Sequence, residues 1–301
     1  MSIVYQIKDY LLTKTAKLFP KSIISLRFKK HFGRDIDWDN PKDINEKIQW
    51  LKFNTDTSIW TQLADKYEVR NYVKKCIGAK YLVPLYGVWD SPYDIDFSQL
   101  PNSFVLKPNH GAGSVLIVKD KSKLDIPKTI NLLSDWLKTD FGIKEVEPHY
   151  LGIKRKIIAE GLLDEHSDFT SSLVDYKIWC FNGNVFGTWC CFNRSGFVAD
   201  TEWHDLDWKF RPEWSIFTTH YKNGQGSIPK PPNYDEMLKV ASKLSKGFPE
   251  VRVDLYNIDG RIYFGEMTFS CAGGYINFYS NDILNKLGDL TILPQKNNNN
   301  Y

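Results

Sequence analysis

The spacing of the apolar residues changes at Tyr81, and this change limits the possible folds more than any other feature of the sequence. Upstream of it, apolar residues recur at helical spacing. One helix is predicted to open at Asn40 and continue through Leu51, and a second to run over about 58–76. Downstream, short runs rich in β-branched and aromatic residues are separated by Pro, Gly and Asp. Helices followed by mostly antiparallel strands with inserted helices predict an α+β fold.

The predicted strands are bounded by turn signals, the strongest of which is the Asn-Gly pair at 182–183. Strands are predicted at 83–89, 104–107, 156–162, 173–181, 185–192, 251–256 and 261–269, and the inserted helices at 126–139 and 234–246.

Composition excludes several classes of protein. The 301 residues are 42% apolar and 25% charged, as in globular proteins and unlike disordered or collagen-like chains. No apolar run reaches the roughly 18–20 residues that span a bilayer. Lys8, Asp9 and Lys14 interrupt the apolar core that an export signal needs, so a cytoplasmic location is expected. Five cysteines without a C-x-x-C pair indicate reduced thiols.

Charge is unevenly distributed. Residues 1–30 hold seven Lys and Arg and one Asp, while the net charge of the whole chain is only +3, so the remainder is slightly acidic. This excludes a nucleic-acid partner, which requires a basic stripe. Two interpretations of residues 1–30 stay open: contact with an anionic membrane at its inner face, or helices packed on their own protein with a solvated basic rim.

A strand, a glycine-rich turn and a second strand are predicted over residues 104–118, FVLKPNHGAGSVLIV. Gly111 and Gly113 would let backbone N–H groups approach anionic oxygens, and Lys107 would supply a cation beneath them. A Walker A loop would lead into a helix and place its lysine after the last glycine, so this loop is not one. An ordinary glycine hairpin with a surface lysine fits the same residues.

Asp254 and Glu266 lie on two strands that a short turn joins into a hairpin. Opposed residues of antiparallel strands share a face and their numbers have a constant sum, so these carboxylates share a face only if that sum is even. A three-residue loop ending in a left-handed Gly260 would pair Asn257 with Arg261 and give 518. This register predicts that the two carboxylates share a face.

In that register Glu266 would lie among Ile262, Phe264 and Thr268. A carboxylate among mostly apolar neighbours is costly unless it is paired or binds a cation. Hard oxygen ligands of this kind suit Mg²⁺ that bridges nucleotide phosphates. Two solvated strand carboxylates are the alternative.

Two further residues, Glu160 and Lys177, place a charged side chain in a strand that is otherwise mostly apolar or aromatic. Glu160 ends an apolar strand and is suited to accept a hydrogen bond from a ribose, although it also fits the end of a plain core strand. Lys177 lies within a strand beside aromatic residues, where a cation is costly without an anion. An edge-strand lysine that prevents aggregation is the alternative for Lys177.

Several cationic residues are candidates for binding a substrate carboxylate. Arg252 stands out because it shares a strand face with Asp254, and His204 is also a candidate base for an attacking amine. Isolated surface charges and a structural histidine are the simpler interpretations. The candidates are Arg194, His204, Arg211 and Arg252.

Four motifs occur in a fixed order: FVLKPNHGAGS at 104–114, DYK at 175–177, VD at 253–254 and EMTF at 266–269. In this order they resemble the ATP-grasp enzymes, above all the teichuronopeptide-biosynthesis-like (TupA-like) branch associated with bacterial surface polysaccharides. NPKDINEKIQWLK at 40–52 and ADKYEVR at 64–70 resemble that branch as well, so the similarity covers most of the chain, to about Phe278.

The resemblance implies an ATP-grasp-like α+β fold, in which two lobes with mixed or antiparallel sheets clamp ATP. A helical N-terminal segment precedes the two lobes in the sequence. The implied division is a helical, basic segment at 1–60, a small lobe with the glycine-rich flap at 61–162, a large lobe with the metal site at 163–294, and a disordered tail at 295–301.

The resemblance also implies roles for individual residues. Lys107 matches the small-lobe lysine that contacts phosphate, and Glu160 matches the hinge residue near adenine and ribose. Lys177 matches a cationic strand residue that stabilises the transferring phosphoryl group. Arg252 is expected in the catalytic set as well, on the separate ground that it shares a strand face with Asp254. The flap over the β- and γ-phosphates matches His110, Gly111, Ala112, Gly113 and Ser114. The Mg²⁺ ligands match Asp254 and Glu266, and Thr268 is the third residue expected at the metal.

Two departures from the family pattern stand out. Thr268 occupies a position where many relatives have Asn, so a second metal site would be weaker or completed by water. No second acidic residue lies close to Glu160, which leaves the ribose contact open.

We therefore expect an ATP- and Mg²⁺-dependent ligase that converts a carboxylate to an acylphosphate, which an amine attacks. The expected partners are a small-molecule or lipid-linked glycan with a sugar acid, from capsule, O-antigen or similar surface polysaccharide synthesis, and an amine. A glycosyltransferase would also use an acidic metal-binding pair, but it would want a D-x-D-like site and has no need of Lys107. A non-catalytic glycan-binding or membrane-associated protein is the third alternative.

Overall fold

The computed structural model describes residues 16, 18–163 and 168–295. Most of the predicted tail and the first 15 residues of the basic segment therefore lie outside the described residues. The helices are α1 Pro20–Phe32, α2 Ile44–Asn54, α3 Ser58–Ala64, α4 Val69–Cys76, α5 Ile126–Lys138, α6 Pro148–Leu151, α7 Tyr234–Ser245 and α8 Asn281–Leu290.

The strands form two sheets, which confirms the predicted α+β class. They are β1 Leu85–Trp89, β2 Phe104–Pro108, β3 Leu116–Val118, β4 Ile157–Glu160, β5 Asp175–Phe181, β6 Asn184–Ser195, β7 Val198–His204, β8 Tyr221–Asn223, β9 Val251–Ile258 and β10 Arg261–Thr268. The four-stranded sheet has the order β1-β4-β2-β3, and the six-stranded sheet has the order β10-β9-β5-β6-β7-β8. All pairs are antiparallel except β7 with β8.

The six-stranded sheet has an apolar core on each face. Ile178 and Cys180 of β5 point to the core that includes α7, whereas Trp179 and Phe181 point to the core that includes α2 and α8. This alternation follows from the two-residue period of a strand. The charged residues of β5 and β9 on the second face thus lie beside a closely packed aromatic cluster.

The predicted helix over 58–76 is wrong in one respect, because the chain breaks it into α3 and α4. At the break, the carboxylate of Asp65 accepts hydrogen bonds from the backbone N–H groups of Tyr67 and Glu68, at 2.8 and 3.3 Å. An aspartate that binds its own backbone in this way competes with the helix. The break turns Lys66 out of the helical path.

The sequence patterns did not predict β7, β8 or α8, but they did predict the hairpin that joins β5 to β6. Its turn residues Asn182 and Gly183 both have positive φ, 48° and 86°, as a two-residue hairpin turn of this type requires. The hairpin sets the pairing of Cys180 with Val185, and a β-bulge after this pair shifts the register by one residue, so that Lys177 lies opposite Trp189.

The helix α1 packs on the rest of the protein through Ile23, Ile24 and Phe28, which are at most 6% exposed. Tyr275 and Val146 belong to the same core. The burial of these α1 side chains agrees with the interpretation that the basic segment forms helices packed on their own protein. Among the described residues, no helix combines the length and apolar character needed to cross a membrane.

Candidate active site

Lys177, Asp254 and Glu266 form a row across three neighbouring strands of the six-stranded sheet. Asp254 of β9 lies directly opposite Lys177 of β5 on one side and opposite Glu266 of β10 on the other. Directly opposed residues of antiparallel strands point to the same face. The two acidic side chains share a face, as predicted, and the structure adds Lys177 as their neighbour.

The register that brings Glu266 there differs from the predicted one. The turn contains two residues, Asp259 and Gly260, and Arg261 pairs with Ile258 rather than with Asn257. In an uninterrupted ladder of this register, Glu266 would have pointed away from Asp254.

A β-bulge at Gly265 restores the pairing. Phe264 lies opposite Leu255, Gly265 has no partner, and Glu266 lies opposite Asp254. The extra residue reverses the alternation of β10, because one inserted residue moves the following side chains to the other face. The prediction that Glu266 shares a face with Ile262 and Phe264 is accordingly wrong: those two side chains enter the α7 core.

Asp254 is 1% exposed and both of its carboxylate oxygens are bound by cations. Arg252 donates to Oδ1 through Nε and to Oδ2 through Nη2, each at 2.7 Å, and Lys177 Nζ lies 2.6 Å from Oδ2. The same Nζ lies 2.6 Å from Asp175 Oδ2. Burial lowers the pKa of Lys177, but the charges of Asp175 and Asp254 outweigh it and raise that pKa above its ordinary value. Lys177 therefore keeps its charge.

Glu266 is the accessible carboxylate of the row, with 35% of its side chain exposed. Its Oε1 accepts a hydrogen bond from Thr268 Oγ1 at 3.3 Å and lies 3.5 Å from Arg252 Nη2, and its Oε2 lies 3.8 Å from Lys66 Nζ. Burial raises the pKa of Glu266, but the surrounding cations outweigh it and lower that pKa to about 2. These cations are Lys66, Lys177, Arg252 and Lys107.

Among the described residues, Asp254 Oδ1 has a single cationic contact and keeps a lone pair, so that Asp254, Glu266 and Thr268 form a donor set that fits a hard divalent cation. It offers two carboxylates on adjacent strands and a hydroxyl group within hydrogen-bond distance of Glu266. In the described part of the chain, no group of three or more His, Cys, Asp or Glu side chains could hold a metal ion. A Mg²⁺ ion here would need further oxygens from substrate phosphates and water, as is usual for this ion.

On the four-stranded sheet, Lys107 and Glu160 are joined. Lys107 Nζ lies 2.5 Å from Glu160 Oε2, and Arg70 Nη1 donates to Glu160 Oε1 at 3.0 Å. Arg70 also donates to the carbonyl oxygen of Val83 at 2.8 Å. Glu160 therefore has both oxygens bound by cations, whereas the sequence predicted a free acceptor for ribose.

The loop from His110 to Ser114 joins β2 to β3, as predicted. Gly111 has φ 79° and lies so close to Phe141 that a Cβ atom would be 2.6 Å from the ring. His110 is only 4% exposed and its Nε2 lies 3.2 Å from the carbonyl oxygen of Thr139, so its ring is buried beneath the loop. Ala112 and Gly113 are exposed, which leaves the tip of the loop free to meet a ligand.

Lys66 connects this loop to the row of charges on the large sheet. Its Nζ donates to the carbonyl oxygen of Gly111 at 2.6 Å and lies 3.8 Å from Glu266 Oε2. Its backbone N–H donates to the carbonyl oxygen of Asn109 at 2.9 Å. The glycine-rich loop and the acidic pair thus belong to one site.

A comparison with known families shows that residues 46–292 match the TupA-like ATP-grasp family. The chain belongs to this family. The match confirms the resemblance carried by the sequence motifs and the expectation of an ATP-grasp enzyme. No curated protein is significantly similar to the chain in sequence.

Several solved structures of ligases are similar in fold to this ATP-grasp protein. The L-amino acid ligase of Bacillus licheniformis is 13% identical with a TM-score of 0.47, and the match covers 86% of this chain and 57% of that protein. D-alanine–D-alanine ligase of Helicobacter pylori is 15% identical with a TM-score of 0.44, covering 83% and 67%. The ATP complex of the Bacillus anthracis enzyme is 15% identical with a TM-score of 0.41, covering 76% and 63%. The chain spans less than two thirds of the length of the two Bacillus proteins.

Sequence reasoning did not assign a role to three residues of the site, which are Lys66, Arg70 and Asp175. Lys66 and Arg70 belong to the ADKYEVR segment that resembles the ATP-grasp family, and that segment was the available signal. Asp175 lies two residues before Lys177, on the same strand face, so its contact with Lys177 follows from strand periodicity.

The remaining carboxylate-binding candidates separate into two groups. Arg194 pairs with Asp175 and so extends the row, whereas Arg211 pairs with Asp205 outside it. His204 is 2% exposed and bound to the buried carboxylate of Glu202 at 2.8 Å, which agrees with the structural interpretation of this histidine.

Proposed function

We propose that this protein is an ATP- and Mg²⁺-dependent ligase that joins a carboxylate to an amine through an acylphosphate. One observation carries the proposal: Lys66 and Arg252 lie 3.8 and 3.5 Å from the accessible carboxylate of Glu266. The charges of Lys107 and Lys177 act on the same carboxylate. Lys107 comes from the four-stranded sheet, Lys177 and Arg252 from the six-stranded sheet, and Lys66 from the segment between α3 and α4. Phosphoryl transfer is helped mainly by positioning and by neutralising the charge of the moving group, and this array supplies both.

Each part of the array has a proposed task. Lys107, Lys66 and the exposed loop tip would bind the phosphates of ATP. Because Arg70 also binds Glu160, Lys107 can turn to a phosphate without leaving Glu160 unpaired. Asp254, Glu266 and Thr268 would hold Mg²⁺, which when bound supplies positive charge to the β- and γ-phosphate oxygens.

Lys177 and Arg252 would stabilise the phosphoryl group during its transfer. In the proposed reaction a carboxylate oxygen of the substrate attacks the γ-phosphorus, the bond to ADP breaks, and an acylphosphate forms. The amine then attacks the acyl carbon, inorganic phosphate leaves, and the amine loses a proton. Asp175 and Asp254 keep Lys177 charged and in place before any ligand arrives.

The carboxylate is proposed to belong to a sugar acid or related group in a precursor of a bacterial surface polysaccharide, free or lipid-linked, in the cytoplasm. The resemblance to the TupA-like branch supports this choice. A substrate survey with uronic acids and amino acids as the amine component would test it.

Nucleotide binding is the first test of the reaction class. Calorimetry with Mg²⁺ and a non-hydrolysable ATP analogue should show binding by the wild type and a large loss in Lys107→Met. Lys156→Met is a matched control, because Lys156 also adjoins the four-stranded sheet, has a similarly exposed side chain and pairs with Asp90 at 2.7 Å rather than with Glu160. Equal binding by wild type and Lys107→Met would contradict the role of Lys107.

Product analysis separates the ligase from a glycosyltransferase. The ligase releases ADP and inorganic phosphate in equal amounts, and only when both a carboxylate and an amine are present. Release of a nucleoside diphosphate from a sugar donor, without ATP consumption, would contradict the proposed function.

A further inference from the structure

We propose that Arg194 binds a second anionic group of the substrate, so that the carboxylate substrate of this enzyme carries at least two negative charges. This inference deepens the proposed function and rests on it. It depends on a second β-bulge, on the contact that this bulge creates, and on the charge balance of the row.

The bulge interrupts β6 at Asn193. Phe192 lies opposite Asp200 and Ser195 lies opposite Val198, so two residues of β6 oppose one residue of β7. Asn193 has φ 49°, a left-handed conformation that is uncommon outside glycine. Bulges of this kind occur next to active sites, where they redirect a side chain.

Side-chain hydrogen bonds hold Asn193 in this conformation. Its Oδ1 accepts from the backbone N–H of Ser171 at 2.8 Å, and its Nδ2 donates to Asp200 Oδ2 at 2.8 Å. The neighbouring backbone N–H of Arg194 donates to Ser172 Oγ at 3.0 Å. The bulge is therefore fixed by its surroundings on both sides.

The bulge delivers Arg194 to the face of the site. By strict alternation, residue 194 would share a face with Cys190 and Phe192, which enter the α7 core. Instead Arg194 Nη2 lies 3.2 Å from Asp175 Oδ2, the same oxygen that binds Lys177 Nζ at 2.6 Å. Arg194 thus becomes the neighbour of the cation that we assign to phosphoryl transfer.

Arg194 ends a row of alternating charges. Each neighbouring pair in the row lies within 3.8 Å, and the terminal Arg194 has the most exposed side chain of the row. The row runs Arg194, Asp175, Lys177, Asp254, Arg252, Glu266 and Lys66.

Cations begin and end this row, so it holds one more cation than anions. Lys66 lies against the glycine-rich loop, where the proposed phosphates bind. Arg194 has 47% of its side chain exposed, and among the described residues Asp175 is its sole ion-pair partner. A guanidinium group has five N–H donors and binds carboxylate or phosphate through two of them at once. Arg194 is thus equipped for an anion other than the carboxylate that receives the phosphoryl group.

Two matched pairs of probes test the inference: glutarate against pentanoate, and D-glucuronate 1-phosphate against D-glucuronate. Each is titrated into the full chain saturated with Mg²⁺ and a non-hydrolysable ATP analogue. In at least one pair the more highly charged probe should bind about tenfold more tightly or better, as expected of a charge-assisted bidentate contact. Which pair responds tells whether the second group is a carboxylate or a phosphate.

Variants assign this preference to Arg194. Arg194→Ala should abolish the preference for the more highly charged probe. Arg194→Lys should keep only part of this preference, because lysine lacks the planar guanidinium group that donates two hydrogen bonds at once. Arg211→Ala, the matched control for an arginine paired with an aspartate, should keep it. Asn193→Val should weaken it more than Asn193→Gly does, with Arg194 still present, because both variants lose the side-chain hydrogen bonds but only the β-branched residue also resists positive φ.

The two proposals fail in distinguishable ways. If the analogue binds to the wild type but neither pair shows a preference, or if Arg194→Ala keeps the preference, the role of Arg194 is wrong and the ligase proposal stands. If the analogue does not bind to the wild type, the proposed function is wrong and the inference falls with it.

Discussion

Glu160 and Asp254 are each bound by two cationic side chains, but the two clusters are built differently. Lys107 and Arg70, which bind Glu160, come from separate elements and keep 20% and 16% of their side chains exposed. Lys177 and Arg252, which bind Asp254, come from the same sheet and are both 9% exposed. The first cluster can exchange a partner for a ligand, whereas the second is a fixed array of charges present before the ligand binds.

Removal of the central charge should affect the fixed array most. We expect Asp254→Asn to lower the free energy of unfolding by about 3–5 kcal/mol, because the buried Lys177 and Arg252 lose the carboxylate that they share. Of the carboxylates among the described residues, Lys177 then keeps only Asp175, and Arg252 keeps only the longer contact with Glu266. Glu160→Gln should cost about 1–3 kcal/mol, since its partners can reach solvent. Urea denaturation of both variants measures the difference. Equal losses would show that the two clusters do not differ in the way described.

Replacing the lysine of each cluster should change a different kinetic constant. Lys177→Met is expected to lower kcat by roughly 10²–10³, the usual effect of losing a preorganised charge at a reacting group. Lys107→Met should act mainly on KM for ATP, because its contact would already be made in the bound ground state. Steady-state kinetics with saturating carboxylate and amine tests this pattern. A Lys177→Met variant that changes only KM would refute the assignment.

The next comparison is between Gly265, which precedes Glu266, and Gly161, which follows Glu160. A Cβ on Gly265 would lie 2.9 Å from the carbonyl oxygen of Asp254 and 3.2 Å from the Tyr256 ring, so Gly265→Ala should destabilise the protein by about 1–3 kcal/mol and lower kcat. Gly161 follows Glu160 and has room for a Cβ at 3.4 Å from Pro84. Thermal unfolding should show Gly161→Ala within about 0.5 kcal/mol of wild type. The bulge is dispensable if both variants behave alike.

The smallest expected effect is the pH dependence contributed by Glu266, because its side chain is 35% exposed and solvent screens part of its interaction with the cations. Its pKa in the folded protein is about 2, below the ordinary 4.5, so its charge stabilises the fold above about pH 4.5. That contribution is lost as the pH falls from about 4.5 towards about 2. The stability difference between wild type and Glu266→Gln should therefore shrink over this range in denaturant titrations. A difference that stays constant with pH would mean that the cations around Glu266 do not act on its charge.

Some of this site is readable from local sequence. The glycine turn after Lys107, the hairpin at Asn182 and the charged residues at strand positions all follow from turn chemistry and periodicity. The helix over 58–76 was predicted without its break, because the competing contacts of the Asp65 carboxylate become visible only when the backbone bends. Lys66 was not assigned a role for the same reason.

The sequence by itself determined the order of the motifs, the fold class and the family, since these depend on residue types and spacing along one chain. Only the tertiary structure decided which charged side chains share a face. The predicted register was wrong and Glu266 still lies opposite Asp254, because the unpaired Gly265 reverses the alternation of β10. Asn193 does the same for Arg194 on β6. Since a strand repeats every two residues, one extra residue exchanges its faces, and only pairing with the neighbouring strand shows where that residue lies.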